Sequence, residues 1–483
     1  MAARLTRRQA LGRIGLGLGA GVLSQGCSLG PGPDVVCGAA PESAATSARD
    51  AAARALLSHI DTFVVLMLEN RSFDHLLGGL RFDRTYPGAA AMNGLAGDES
   101  NLDLAGRPVQ VAPMAGDGRG SFTPAHDWKS VHATFNGGRN DGFLAVNKGV
   151  HDAEVMSYLV REQVPYFHAL ADQFTVFDHW YASFLGPTWP NRFYLHATTS
   201  GGRRENAPMG VDATLSVWER LAQRCCSGRN YAAGAIPWYA AAFPTRVITG
   251  EAAMVPAKIE DFFADARAGN LPNLALIDPD FKYSDGSPMH SLALCEAFVA
   301  SIVAALAESP QWSRSLLLIM FDEHGGYYDH APPPAATDLR PEFRQLGFRV
   351  PAFAIGPTVR RGAVVPTVLE HVSIAATLRA RFGIETLSER MDRTLDVADC
   401  IDPLAIAAPR PGPRNVERVT LGAEALAAAA AAGSSQPEVE AAPTAAGFPS
   451  AVAEAVVDRR SDDERMQGWL RLAQELDVVK VVR

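Results

Sequence analysis

The stretch Thr62-Phe63-Val64-Val65-Leu66-Met67-Leu68-Glu69-Asn70 decides the fold. Its first seven residues carry no charge, and two β-branched valines lie near the centre. A continuous apolar run of this length, with no polar alternation, predicts a strand buried on both faces. It stops abruptly at a carboxylate and an amide. Three more runs read the same way. Ser315 to Phe321 ends in Asp322-Glu323, Asn273 to Ile277 ends in Asp278, and Val350 to Gly356 forms the fourth. Between them, Leu292 to Leu306 and Val372 to Phe382 carry apolar residues at helical spacing. Buried strands alternating with helices predict an α/β fold with a mainly parallel central sheet and helices on both faces. Ligands of such sheets sit outside the carboxyl ends of the strands. Glu69-Asn70 and Asp322-Glu323 are therefore the first places to look for chemistry.

Acidic side chains beside an apolar core repel one another and are costly to desolvate. A divalent cation compensates both costs, since carboxylate and amide oxygens suit hard metals and carboxylates also bind zinc. Helix caps and surface turns use the same residue types, so neither pair alone is decisive. Thr188 sits in the rigid turn Gly186-Pro187-Thr188-Trp189-Pro190. A threonine hydroxyl is a weak nucleophile until a base or a metal lowers its pKa.

Longer motifs surround these residues. Glu69-Asn70-Arg71-Ser72-Phe73-Asp74-His75 resembles the opening signature of the bacterial phospholipase C family, which also includes plant non-specific phospholipases C and certain acid phosphatases. Phe321-Asp322-Glu323-His324-Gly325-Gly326-Tyr327-Tyr328-Asp329-His330 resembles a second signature, and Gly186 to Arg192 a third. Ala125-His126-Asp127-Trp128, followed by Asn136-Gly137-Gly138 and Asp141-Gly142-Phe143, resembles a fourth block. The resemblance runs in order from about residue 60 to about 400. It implies an alkaline-phosphatase-like three-layer α/β/α sandwich. It also implies a divalent metal (calcium, zinc, manganese or magnesium) held by Glu69, Asn70, Asp322 and Glu323, with Thr188 as nucleophile. His126 and His290 fall where the family places histidines that contact phosphate or donate to the leaving group. His324, beside the carboxylates, would orient them. His330, His371 and His196 read as structural.

The implied activity is phospholipase C hydrolysis of a glycerophospholipid of the phosphatidylcholine type, through a phosphothreonyl intermediate. A phosphomonoesterase on the same site and a non-catalytic surface protein are the alternatives. A sulfatase would need a Cys or Ser where Thr188 stands. The chain departs from the family at Ser284-Asp285-Gly286-Ser287-Pro288-Met289-His290, where Gly286 replaces a histidine. This loosens the inference about substrate, not about the ligands or the nucleophile. Phe135, Phe143, Tyr181, Phe184 and Trp189 are candidates for lipid contact, although core packing is the commoner role of such residues.

The bulk numbers read as a soluble globular protein with enough apolar material for a large core. The chain has 483 residues, 47% of them hydrophobic, with a net charge of -9 and no long Lys/Arg run. A nucleic-acid partner is not expected. A phospholipid or other phosphate-ester substrate is, with peripheral membrane contact. Residues 1–27 read as a twin-arginine-like export signal, with Arg7-Arg8 ahead of a short apolar stretch. Cys27 is a candidate lipid attachment site, so a periplasmic, secreted or envelope-attached protein is expected. Six cysteines form no CxxC pair, which argues against a zinc ribbon. Residues 28–58 read as a linker and 59–405 as the phosphoesterase domain. Residues 406–450 form an Ala/Pro-rich, low-complexity flexible segment, and 451–483 a tail with a possible helix.

Overall fold

The computed structural model describes residues 48–209, 215–413 and 418–482. The expected export segment, with Arg7, Arg8 and Cys27, lies outside the described residues, as does the linker up to residue 47. The linker reading is corrected at its end, because helix α1 (Ala48–Leu57) buries Ala53 and Leu57 there.

Eight strands form the central sheet: β1 (Thr62–Leu68), β2 (Thr175–Phe177), β3 (Gly228–Ala232), β4 (Val255–Lys258), β5 (Leu274–Asp278), β6 (Ser315–Phe321), β7 (Ala352–Ile355) and β8 (Ala363–Val365). Their spatial order is β8-β2-β7-β6-β1-β5-β3-β4. All neighbours run parallel except β7, which is antiparallel to both β6 and β2. Every residue of β1 and of β6 is buried. Since successive side chains point to opposite faces, helices must cover both faces of the sheet. Helix α3 (Leu292–Ala307) packs with the helix Ile259–Ala268 and with α5 (Asp462–Glu475). Helix α4 (Val372–Phe382) packs with α1 and with α2 (Thr188–Ala197).

Register decides where the acidic pairs meet. Leu68 of β1 lies opposite Phe321 of β6, so Glu69 and Asp322 leave the sheet side by side. The Asp322 amide then donates to the Leu68 carbonyl at 3.0 Å. Asp278 ends β5 on the other side of β1.

Residues 80–160 include the short helix Trp128–Phe135 and contribute Val131, Phe143 and Val155 to a separate small apolar cluster with Tyr328 and Phe348. Phe143, Tyr181, Phe184 and Trp189 are buried, which removes them as lipid-contact candidates: they pack the protein's interior. Cys295 and Cys400 are buried thiols in no disulfide.

The flexible-segment reading of 406–450 is also corrected. Residues Val419–Gly422 pair with Val479–Val482, and helices span Ala423–Ala431, Pro437–Ala445 and Ser450–Val456. The strand Val419–Gly422 and the helix Ala423–Ala431 dock on α3, and beyond them Trp469 of α5 meets Phe298 of α3 edge to face at 5.3 Å. Among the described residues no helix is long and apolar enough to cross a membrane.

Candidate active site

The two longest motifs interlock. Asn70 adopts a left-handed conformation (φ 63°) that turns the chain sharply off β1, and its amide donates to Asp322 Oδ1 at 3.0 Å. Gly325 is also left-handed (φ 64°), and a Cβ there would lie 2.1 Å from the Asn70 carbonyl oxygen. Only glycine allows this approach. Around it, Ser72 Oγ donates to the Tyr328 carbonyl at 2.6 Å, and His75 stacks on Tyr327 with ring centres 3.8 Å apart. Asp74 binds His330 at 2.7 Å and Arg349 at 2.9 Å. Arg71 is buried and grips the departing loop, donating to the carbonyls of Gly286, Ser287 and Pro288. Gly286 is left-handed (φ 85°), and a Cβ would press on Phe321 and Cys295. The backbone at this position therefore favours the glycine that departs from the family pattern.

Thr188 opens α2, and every residue of that helix is buried. Asn191 stiffens the turn before it by accepting from the Phe184 amide and donating to the carbonyls of Phe184, Gly186 and Pro187. Arg192, one helical turn beyond Thr188, shares its face. Its guanidinium binds Glu69 Oε1 at 2.7 Å and lies 3.5 Å from Asp322 Oδ2 and 3.8 Å from Asp278 Oδ1. Charge is still unbalanced. Burial, followed by repulsion from Asp322, pushes the Glu69 carboxyl well above its ordinary range. Burial likewise pushes Asp322 up to about 6, against the pull of Arg192.

Glu323 behaves differently. Burial opposes its charge, but His126, His324 and the Gly325 amide together hold its pKa below the ordinary value. His324 Nδ1 lies 3.0 Å from Glu323 Oε2, and burial keeps the imidazole on the neutral side, so it orients the carboxylate as a donor. His126 donates from Nδ1 to the Pro124 carbonyl at 2.7 Å, which turns Nε2 toward Glu323 Oε1 at 3.7 Å. His371 donates to the Asp322 carbonyl at 2.7 Å and accepts from Trp180 Nε1. Burial pushes its pKa to about 3, in keeping with a neutral structural residue. His196 accepts from Trp218 Nε1 and is likewise held neutral by burial.

His290 completes the set. Its Nδ1 lies 2.6 Å from Asp285 Oδ1, and its Nε2 lies 3.0 Å from the Gly433 carbonyl oxygen. Both partners are acceptors, so the doubly protonated ring satisfies both. Burial works against that charge, but the Asp285 carboxylate outweighs it and raises the pKa above the ordinary histidine value.

Among the described residues around Arg192 and Glu323, Asn70 Oδ1, Asp322 Oδ2 and Glu323 Oε1 are buried without a hydrogen-bond partner, as is Asp278 Oδ1 at the end of β5. Unpaired buried acceptors next to raised carboxyl pKa values are what a hard cation would relieve, so the residues fit a divalent metal. Among the described residues, however, no three His, Cys, Asp or Glu side chains are already gathered for coordination. The oxygens of Glu69 are occupied by other donors. Arg192 binds Oε1, while Asn70 Nδ2 and Gln436 Nε2 donate to Oε2 at 3.3 and 2.9 Å. Gln436 Nε2 also donates to Thr188 Oγ1 at 3.2 Å.

The structure brings Glu69, Asn70, Asp322, Glu323, His324 and His126 into direct contact, and residues 433–436 and Asp285 join Thr188 and His290 to them. Sequence reasoning missed Arg192, Asp285 and Gln436. The first had a usable signal, its position four residues after Thr188 on a helix. Asp285 stands five residues before His290, a spacing that says nothing without the loop's geometry. Gln436 lies in Ala-rich sequence with no signal at all.

The buried Thr188 hydroxyl at the N-terminus of α2 is thus joined through the Gln436 amide to the Glu69 carboxylate at the end of β1. The chain belongs to the Phosphoesterase family, whose model matches residues 60–385. It is 31% identical over 369 residues to non-specific phospholipase C1 of Arabidopsis thaliana, covering 68% of each chain. It is 29% identical over 425 residues to phospholipase C A of Mycobacterium tuberculosis, covering 76% of this chain and 81% of the relative. Among solved structures, murine ectonucleotide pyrophosphatase/phosphodiesterase 5 aligns with a TM-score of 0.34 at 12% identity, over 50% of this chain and 94% of the other. That overlap is too slight to carry an argument, and the fold rests on the strand order described above.

Proposed function

We propose that the chain is an exported phospholipase C that cleaves glycerophospholipids of the phosphatidylcholine type by way of Thr188. One observation carries this reading. Thr188 Oγ1 sits at the N-terminus of a buried helix, linked through one amide to Glu69 at the end of β1. The named activities of the similar plant and mycobacterial proteins support the choice of a phosphodiester.

In this reading the Thr188 hydroxyl gives up its proton to water, its oxygen attacks phosphorus, and the bond from phosphorus to the glycerol oxygen breaks. The products of this step are diacylglycerol and a headgroup phosphate esterified to Thr188. Water then cleaves the ester and releases the phosphorylated headgroup. His290, held protonated by Asp285, delivers its Nε2 proton to the departing glycerol oxygen. His126 lies beside Glu323, where its ring contacts a phosphoryl oxygen. Arg192 holds Glu69 and Asp322 in place and adds positive charge near the reacting phosphate. Asn70, Asp322, Glu323 and the Thr188 hydroxyl would hold a divalent cation, with Glu69 joining once Gln436 leaves it. A bound cation supplies Lewis-acid polarisation, lowering the pKa of the hydroxyl and drawing charge from the phosphoryl oxygens. His324 positions Glu323.

The test is hydrolysis of p-nitrophenyl phosphorylcholine against p-nitrophenyl phosphate by the wild type and by Thr188→Ala. Loss of diester hydrolysis in the variant supports the proposal. Full activity of Thr188→Ala removes the nucleophile, and activity on the monoester alone makes the protein a phosphomonoesterase.

A further inference from the structure

Thr188, Glu69 and Asp322 are completely shielded from solvent, and Asn70 and Glu323 nearly so. No phosphate ester can reach Thr188 Oγ1 in this arrangement. The segment Gly433–Gln436, between the helices Ala423–Ala431 and Pro437–Ala445, reaches into the site and bonds to Glu69, Thr188, His290 and Asp285. Both helices lie beyond the family-matched residues.

We propose that Gly433–Gln436 is an intrachain plug that occupies the place of ligand and must withdraw before a phosphate ester enters. The inference rests on the reading of Thr188 as the reacting group. Each contact resembles one that a ligand would make. Gln436 presents an electropositive amide nitrogen to Glu69 Oε2 and Thr188 Oγ1, where a cation would stand. The Gly433 carbonyl offers an acceptor oxygen to His290 Nε2, where an ester oxygen would stand. Ser435 Oγ donates to Asp285 Oδ2 at 2.5 Å and so competes for the carboxylate that holds His290. Trp189, the residue after Thr188, donates from Nε1 to Gln436 Oε1 at 2.8 Å. That bond fixes which end of the amide faces inward.

The anchoring is polar throughout. Of the four residues only Gln436 is buried, while Gly433 is exposed and both serines are partly exposed. Withdrawal therefore uncovers no apolar core within the plug, and the hydrogen bonds it gives up are ones that ligand and water can replace. A site closed for part of the time binds more weakly in proportion to the fraction that is open. Weakening the plug should therefore raise apparent affinity and turnover at low substrate.

The test uses the full chain. Gln436→Ala is assayed with MnCl2 and p-nitrophenyl phosphorylcholine, and amide hydrogen exchange of residues 430–440 is followed in the wild type with and without MnCl2 plus orthovanadate. The expected results are a rise in kcat/KM of about fivefold, the scale of one lost hydrogen-bonded anchor, and faster exchange over 433–436 when the additives are present. Should Gln436→Ala fold poorly, Ser435→Ala removes the hydroxyl shared between Asp285 and the Phe281 carbonyl and should shift kcat/KM in the same direction. An unchanged or lower kcat/KM in a folded variant overturns the plug and makes Gln436 a supporting residue. Unchanged exchange overturns it as well. A wild type that cleaves no phosphate ester defeats the proposed function instead, while the exchange measurement still reports whether the segment is displaced.

Discussion

Replacing Arg192 with methionine tests the electrostatic core of the site. The side chain is almost wholly buried, 2.7 Å from Glu69 Oε1 and within 4 Å of Asp322 and Asp278, all three of them buried acids. Methionine keeps most of the volume, so the loss is electrostatic rather than a cavity. Removing one partner of a buried ion pair costs about 3–5 kcal/mol, because the opposing charge remains desolvated. Unfolding entropy near ~2.1 cal/mol/K per residue makes this a fall in Tm of only about 3–5 °C for a chain of this size. Urea unfolding followed by circular dichroism in EDTA is therefore the better assay. Adding Glu69→Gln to Arg192→Met should recover part of the loss, with a coupling of about 1–3 kcal/mol. The pH dependence has a definite sign. The carboxyl pKa values of Glu69 and Asp322 are raised on folding, so their neutral forms favour the folded state. For Asp322 that contribution is complete below about pH 4 and is lost as pH rises through about 6. The cost of Arg192→Met should accordingly grow from acid to neutral pH. A loss below about 1 kcal/mol at pH 7, or no coupling to Glu69, would refute the compensating role of the guanidinium.

Other substitutions test the general acid, the close approach at Gly325 and the expected export signal. His290 titrates above the ordinary histidine value, so its protonated form persists upward from pH 6.5 and hydrolysis should decline as pH rises through the raised pKa. His290→Gln should abolish that limb and lower kcat by about 10²–10⁴-fold, while Asp285→Asn should move the limb to lower pH; both are read from kcat–pH profiles. Gly325→Ala forces a Cβ against the Asn70 carbonyl in a left-handed conformation, and denaturant unfolding should show a loss of more than about 2 kcal/mol. Lysine at both Arg7 and Arg8 should leave the protein in the cytoplasm on cell fractionation; unimpaired export would show that the pair is not the signal.

The central layer was legible because its strands are extreme. Seven consecutive buried residues in β1 and in β6 admit almost no other structure, and the abrupt polar stops mark where the sheet ends. The pairing of Glu69 with Asp322 follows from parallel register, which the runs suggest but do not determine. Asp285 and His290 meet only because Arg71 holds the loop between them by three carbonyls, a tertiary contact with no sequence period. The C-terminal region misleads for a different reason. Alanine-rich sequence with Gly and Pro interruptions carries no amphipathic pattern, and it is ordered here by docking on α3 and by the polar contacts of residues 433–436. The apolar aromatics mislead too, since composition cannot separate a lipid-facing ring from the buried rings of Phe184 and Trp189.

The nucleophile is tested most directly by trapping it. The wild type is mixed with p-nitrophenyl phosphorylcholine in the presence of MnCl2, quenched in acid within the first turnover, digested and examined by mass spectrometry. The expected result is a phosphorylcholine adduct on the peptide that contains Thr188, absent from Thr188→Ala. Burst release of p-nitrophenol with the adduct on another residue, or an unmodified Thr188 peptide throughout the burst, would contradict the assignment.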